Sequence, residues 1–279
     1  MDDLVSTQWL ADNLGQHDLV AVDASMFMPA SGRDARAEYL AAHVPGARFL
    51  DIDELSDKSH PAPHMLPSAA EFGRAMAALG IGRDDRIIVY DNSPLRSAAR
   101  GWFMLRHFGA TKVAVLDGGL QKWTAEARPV ESGEPRPRAA RFDATERGGE
   151  VVAKADVRAG LGTVLLDARS SARFEGDEPD PRPGVAPGHI PGSRNVPFPQ
   201  LYKDDGTFRS RDEIAQVFAS AGTDGTQPFV ATCGSGVTAN SLIFAAHLLG
   251  NHATRLYDGS WSEWGADPST PKELGPGPT

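Results

Sequence analysis

The sequence predicts an α/β protein made of two tandem copies of one domain, each a largely parallel sheet flanked by helices. Three observations predict it. Landmarks recur at a near-constant offset: Asp23 and Asp167 lie 144 positions apart, His43 and His189 146, Asp117 and Asp258 141, and Trp123 and Trp264 141. Each copy reads strand, loop, strand, helix, strand, helix, the order of a parallel sheet with crossover helices. The length of 279 residues suits two domains of about 130 to 140 residues each, and a repeat of that size is a duplicated domain rather than a solenoid unit.

The elements follow in order. LVAVDAS (19–25) is an apolar strand run, and EYLAAHVPGARFLDID (38–53) comes after it. IIVYDN (87–92) is a second buried strand. SAARGWFMLRHFG (97–109) is a helix, with apolar residues on a 3.6 period and Gly109 as its stop. KVAVLDGGLQKW (112–123) closes the first copy. The second copy replays this as TVLLDARS (163–170), APGHIPGSRNVPF (186–198), PFVATCGSGVT (228–238), the helix TANSLIFAAHLLG (238–250) and TRLYDGSWSEW (254–264). The predicted boundaries are 1–133 for the N-terminal domain, 134–149 for a linker rich in charge, Pro and Gly, and 150–279 for the C-terminal domain. The tail PSTPKELGPGPT (268–279) is expected to be loose.

Composition narrows the function classes. Hydrophobic residues make up 41% and charged residues 23%, the balance of a folded globular chain. Lys and Arg number 28 against 37 Asp and Glu, a net charge of −9 that argues against a nucleic-acid partner. No apolar run approaches the roughly 20 residues that span a bilayer, so no membrane partner is expected. The start, MDDLVSTQWL, is acidic and has no charged-then-apolar leader. With a free thiol, that points to the cytoplasm.

Residues present in both copies are first suspected of holding the fold. His43 and His189 each sit in a His-x-Pro-Gly turn that an imidazole can tie by hydrogen bonds. Asp117 and Asp258 occupy matching Asp-Gly turns. Unshared polar residues are the better candidates for chemistry. The single cysteine, Cys233, heads Cys233-Gly234-Ser235-Gly236-Val237-Thr238, where the first copy has Asp91-Asn92-Ser93-Pro94 and one extra residue before its helix. The first copy carries Asp53 and His64, and the matching positions of the second are Pro199 and Ser210. The second copy alone carries the insertion RFEGDEPDPRPGVAP (173–187), with Arg173 and Arg182. One copy thus supplies a thiol and the other an acid/base pair, which predicts a single site in the cleft between the domains.

A lone cysteine forms no intrachain disulfide and no thiolate-rich zinc site. An apolar strand running into Cys-Gly-Ser-Gly is an odd place to bury a thiol merely as a small hydrophobe. Two glycines let backbone N–H groups turn toward one spot as an anion nest, and the following helix adds its positive N-terminus. No Lys or Arg lies between Cys233 and Thr238, so backbone dipoles are left to favour thiolate over thiol.

These residues resemble a known family. CGSGVT matches the active-site loop of 3-mercaptopyruvate sulfurtransferases, within the two-domain rhodanese family. YLAAHVPGARFL (39–50) and YDGSWSEW (257–264) look like its N- and C-terminal signatures, and FLDID, PHMLP, SAAR and EPDPRPG also fit. The resemblance covers nearly the whole chain. It implies two tandem rhodanese-like domains, the second catalytic and the first without its cysteine. It implies Cys233 as nucleophile, Ser235, His64 and Asp53 as a Ser-His-Asp relay, and Arg173 and Arg182 as holders of the substrate carboxylate and keto oxygen. Gly234, Gly236, Val237 and Thr238 would line the anion loop.

The implied reaction moves the sulfur of 3-mercaptopyruvate through a Cys233 persulfide to a thiol acceptor, such as a thioredoxin-like protein, and releases pyruvate. It calls for no metal and no organic cofactor. Thiosulfate sulfurtransferase on the same fold is the nearest rival, but its members carry basic residues where this chain has Gly234 and Ser235. A cysteine phosphatase needs Cys-x5-Arg, and that position is Ala239. A passive sulfur carrier would need only the thiol.

Overall fold

The computed structural model describes residues 1–278. Two compact units divide the chain. The first comprises Met1–Ser56, Leu66–Arg147 and Lys203–Phe208, and the second comprises Asp57–Met65, Gly148–Tyr202 and the chain from Arg209 onward. The loop carrying His64 therefore belongs to the second unit, although it comes from the first repeat.

The first unit contains β1 (Leu4–Val5), α1 (Thr7–Asn13), β2 (Leu19–Asp23), α2 (Ala35–Ala41), β3 (Arg48–Phe49), α3 (Ala69–Ala78), β4 (Arg86–Tyr90), α4 (Ala98–His107), β5 (Val113–Leu116) and α5 (Gly119–Ala125). The second contains β6 (Val151–Val152), α6 (Lys154–Ala159), β7 (Val164–Asp167), α7 (Ser171–Glu175), β8 (Arg194–Asn195), α8 (Arg211–Ala219), β9 (Phe229–Thr232), α9 (Ala239–Leu248), β10 (Arg255–Tyr257) and α10 (Ser260–Trp264). Each unit holds one five-stranded parallel sheet, ordered β1-β5-β4-β2-β3 in the first and β6-β10-β9-β7-β8 in the second. The central strands are apolar except at their ends, as suits a parallel sheet flanked by helices.

Register aligns the repeats more closely than spacing does. Asp23 pairs with Tyr90 in the first sheet, and Asp167 pairs with Thr232 in the second. The next residues, Asp91 and Cys233, are therefore equivalent positions at the strand ends. That end lies beyond the carboxyl termini of parallel strands, where α/β sheets open their crevices.

Both shared histidines hold turns. Nδ1 of His43 lies 2.8 Å from the Tyr39 carbonyl, and Nδ1 of His189 lies 3.0 Å from that of Phe174. Each ring stacks on the same neighbour, at 4.3 and 3.8 Å. Each backbone bridges to the end of its own repeat, His43 to Glu131 and His189 to Glu273.

Two segments are better anchored than their composition suggests. Residues 134–147 hold no helix or strand, yet Arg138 bonds Gly80, His17 and Asp85, and Phe142 packs edge-on against Phe72. The tail, expected to be loose, is tied down over its described residues. Thr270 Oγ1 donates to the Trp264 carbonyl, Trp264 Nε1 donates to that of Pro271, and Gly275 N–H donates to that of Glu175. Composition misses this because it records residue types and not the distant partners that the hydroxyl, indole, guanidinium and backbone groups meet in the fold.

Candidate active site

β9 delivers Cys233 to the carboxyl end of the second sheet, and α9 starts after Thr238. The intervening loop is shaped by where its carbonyls go. Those of Cys233 and Gly234 accept from Trp261 and Ser262 N–H of α10, at 3.0 and 2.8 Å. Those of Gly236 and Val237 accept from the Asn240 amide, at 2.6 and 3.1 Å. A trans peptide sets N–H opposite C=O, so the N–H groups of Gly234, Ser235, Val237 and Thr238 turn the other way. Among the described residues these four have no acceptor. They are four donors open to an anion, beside the start of a ten-residue helix.

The loop departs from the expectation at two amides. The N–H groups of Cys233 and Gly236 donate to Ser260 Oγ, each at 3.1 Å, while Ser260 donates to the Tyr257 carbonyl at 2.8 Å. Ser260 holds a left-handed φ of 50° to do this, a conformation that costs a non-glycine residue about 1–2 kcal/mol. Gly236 is obligatory: its φ is +74°, and a Cβ there would stand 2.6 Å from the Asp258 carbonyl oxygen.

Cys233 is 1% exposed, and its setting is polar on the loop side. His64 Nδ1 lies 2.8 Å from Ser235 Oγ, so the loop hydroxyl has an imidazole partner. His64 reaches it with φ at 62°, again left-handed. Its loop is closed by the Asp57 N–H to Met65 carbonyl bond at 2.9 Å. His60, in the same loop, approaches Glu263 at 3.9 Å. Asp53 is an exposed residue of the first unit, where its carbonyl accepts from the amide and hydroxyl of Ser56.

The two arginines crowd Gly234. A Cβ on that glycine would meet Arg182 Nη2 at 2.9 Å and Arg173 Nη2 at 3.3 Å. They are not equivalent. Arg182 donates through Nε and Nη2 to Asp180 at 2.8 and 2.9 Å, and through Nη1 to the Gly234 carbonyl at 2.7 Å and to Ser262 Oγ. Arg173 spends only Nη2, on Asp180 at 2.7 Å, and its buried Nε has no partner. Arg182 thus straps the loop while Arg173 keeps most of its donor fork open.

Asp180, Ser260 and Ser262 were not singled out by sequence reasoning. Asp180 had a readable signal, an acid two residues before an arginine in the insertion peculiar to the second copy. The two serines are invisible without the contact between α10 and the loop.

The model of the rhodanese-like domain matches residues 6–126 and again 153–267, so the molecule is a tandem rhodanese-fold protein. The chain is 42% identical over 271 residues to the 3-mercaptopyruvate sulfurtransferase of Homo sapiens, covering 94% of this chain and 91% of that protein. It is also 42% identical over 271 residues to the thiosulfate sulfurtransferase of Rattus norvegicus, with the same coverage. The crystal structure of SseA from Escherichia coli, described as a 3-mercaptopyruvate sulfotransferase, superposes with a TM-score of 0.85 at 38% identity, covering 94% of this chain and all of that one. The chain belongs to the two-domain rhodanese family and is, by enzyme class, a sulfurtransferase. Among the described residues no helix is long and apolar enough to cross a membrane.

Proposed function

We propose that this sulfurtransferase takes 3-mercaptopyruvate as donor, forms a persulfide on Cys233 and releases pyruvate, with the C-terminal repeat, 150–279, as the catalytic one. Identity alone does not choose the donor, since relatives named for mercaptopyruvate and for thiosulfate are equally similar. The observation that carries the choice is the Ser235–His64 hydrogen bond in the cysteine loop. Thiosulfate gives up its outer sulfur without any proton changing place. Mercaptopyruvate must lose a thiol proton and gain one on carbon, which is work for a hydroxyl–imidazole pair.

The Cys233 thiolate attacks the substrate sulfur. An S–S bond forms, the C–S bond breaks, and its electron pair goes to carbon as the enolate of pyruvate. The substrate's thiol proton passes by way of Ser235 and His64 to the enolate carbon, leaving a persulfide anion and a methyl group. Arg173 meets the carboxylate with its open fork, and Arg182 bears charge developing on the keto oxygen. The four free amides receive the persulfide. A thiol acceptor, of which a reduced thioredoxin-like protein is one, then takes the outer sulfur in the second half of a ping-pong cycle. Asp53 joins as orienter of His64 on the family resemblance. A free thiolate suits a reducing compartment, and we place the reaction in the cytoplasm.

Intact-mass measurement after mercaptopyruvate tests this. The expected result is a gain of one sulfur atom with stoichiometric pyruvate, both abolished in Cys233→Ser. Ser235→Ala and His64→Gln are expected to lower mercaptopyruvate turnover about 100-fold while leaving thiosulfate turnover within a few-fold. A kcat/KM higher for thiosulfate than for mercaptopyruvate in the unmodified enzyme would defeat the assignment of donor.

A further inference from the structure

We propose that Asp180 is a specificity-determining residue, which fixes the charge of the anion pocket at one net positive and so selects a monoanionic α-keto acid over a compact dianion. This rests on the two arginines being the anion site, as proposed above, but not on mercaptopyruvate being the donor. The Asp180 side chain is 1% exposed and bonds both guanidinium groups, Arg173 at 2.7 Å and Arg182 at 2.8 and 2.9 Å. It also caps its own turn, accepting from Arg182 N–H at 3.0 Å. Two cations and one buried anion leave a single positive charge beside Gly234.

A carboxylate buried this deeply would ordinarily drift toward its neutral form. Burial raises its pKa, but the bonds and charge of Arg182, with the bond from Arg173, outweigh burial and hold the pKa below the usual value. The anion is therefore present whenever the enzyme works, and the pocket never offers two uncompensated cations. A dianion entering it would leave one negative charge unmatched in a site poorly screened by water. A carboxylate with a neutral ketone matches it. Gly234 keeps this pair in place, because a Cβ there would press on Arg182 Nη2 at 2.9 Å and Arg173 Nη2 at 3.3 Å.

The test reads anion binding without turnover. Iodoacetamide alkylation of Cys233 is followed by mass spectrometry while pyruvate or sulfate protects. In the unmodified enzyme pyruvate is expected to protect at lower concentration than sulfate. In Asp180→Asn the ratio of half-protecting concentrations should move toward sulfate by about tenfold or more, and Asp180→Glu, which keeps the charge, should restore the ratio even if both affinities fall. Better protection by sulfate in the unmodified enzyme would overturn the proposal whether or not Asp180→Asn folds. So would an unchanged ratio in a folded Asp180→Asn, since a merely structural carboxylate would weaken both anions alike. Failure of mercaptopyruvate turnover, measured separately, would strike the donor assignment and leave this result standing.

Discussion

Asp23 and Asp167 end equivalent strands, and one following residue sets them apart. Asp167 is buried with Arg169, whose guanidinium bonds it at 2.7 Å, reaches the Gly188 carbonyl at 2.9 Å and lies 4.6 Å from the Trp261 ring. Asp23 has Ser25 at that place, and its carboxylate accepts the Ser25 N–H at 2.9 Å. Burial pushes Asp23 up to about 6 from 3.8. The folded protein then holds a proton that the unfolded chain has released across the window from about pH 4 to 6. Stability should fall as pH rises through that window, by about 3 kcal/mol, and level off above it. Asp23→Asn keeps the oxygen that accepts from Ser25 and should remove this slope. Urea titrations of both proteins at pH 4.5, 5.5 and 7 check it, and parallel slopes would contradict the assignment.

The two loops at the ends of β4 and β9 solve one electrostatic problem in two ways. Asp91, at the position equivalent to Cys233, turns its carboxylate onto the Ser93 and Ala98 N–H groups at 2.9 and 2.7 Å, the latter at the start of α4. The first repeat fills its own nest with a built-in carboxylate. In the second repeat the amides stay open and a thiol stands in the acid's place. Asp91→Ala leaves two buried donors unmatched and should cost about 3 kcal/mol in urea unfolding at pH 7, with little effect on the Cys233 alkylation rate. Ser260 makes the complementary point. Its left-handed φ falls where the first repeat has Gly119, so Ser260→Gly should relieve about 1–2 kcal/mol of strain but strip the acceptor from two buried amides, for a net loss of about 1–2 kcal/mol in urea unfolding. With the cysteine loop no longer held at the Cys233 and Gly236 amides, sulfur loading should slow as well.

At the scale of the molecule, each unit closes on the far end of its own repeat. The His43–Glu131 and His189–Glu273 bridges fasten the last strand-like segment to the loop after the second helix of each repeat. Deleting residues 270–279 removes the paired backbone bonds of His189 with Glu273, the Trp264–Pro271 and Thr270–Trp264 bonds and the Gly275–Glu175 bond. At about 1 kcal/mol each, the loss should reach about 4–5 kcal/mol and lower the melting temperature by about 10 °C or more. A truncation that melts with the full chain would show these contacts to be idle. The described tail was unreadable in composition because Pro, Gly and Ser mark it as a coil and say nothing about what a coil docks against.

Periodicity, turn residues and the offset between repeats were enough to specify two parallel α/β domains and to single out Cys233, because hydrophobic pattern and glycine placement are local properties that the chain carries wherever it goes. Chemistry absent from one copy pointed to His64, Arg173 and Arg182 for the same reason. Which carbonyls turn away to leave four amides open, which arginine is spent on the loop and which keeps most of its donors open, and that Asp180 binds them both, are matters of side-chain and loop contact. Such contacts are chosen by packing, and only the folded structure decides them.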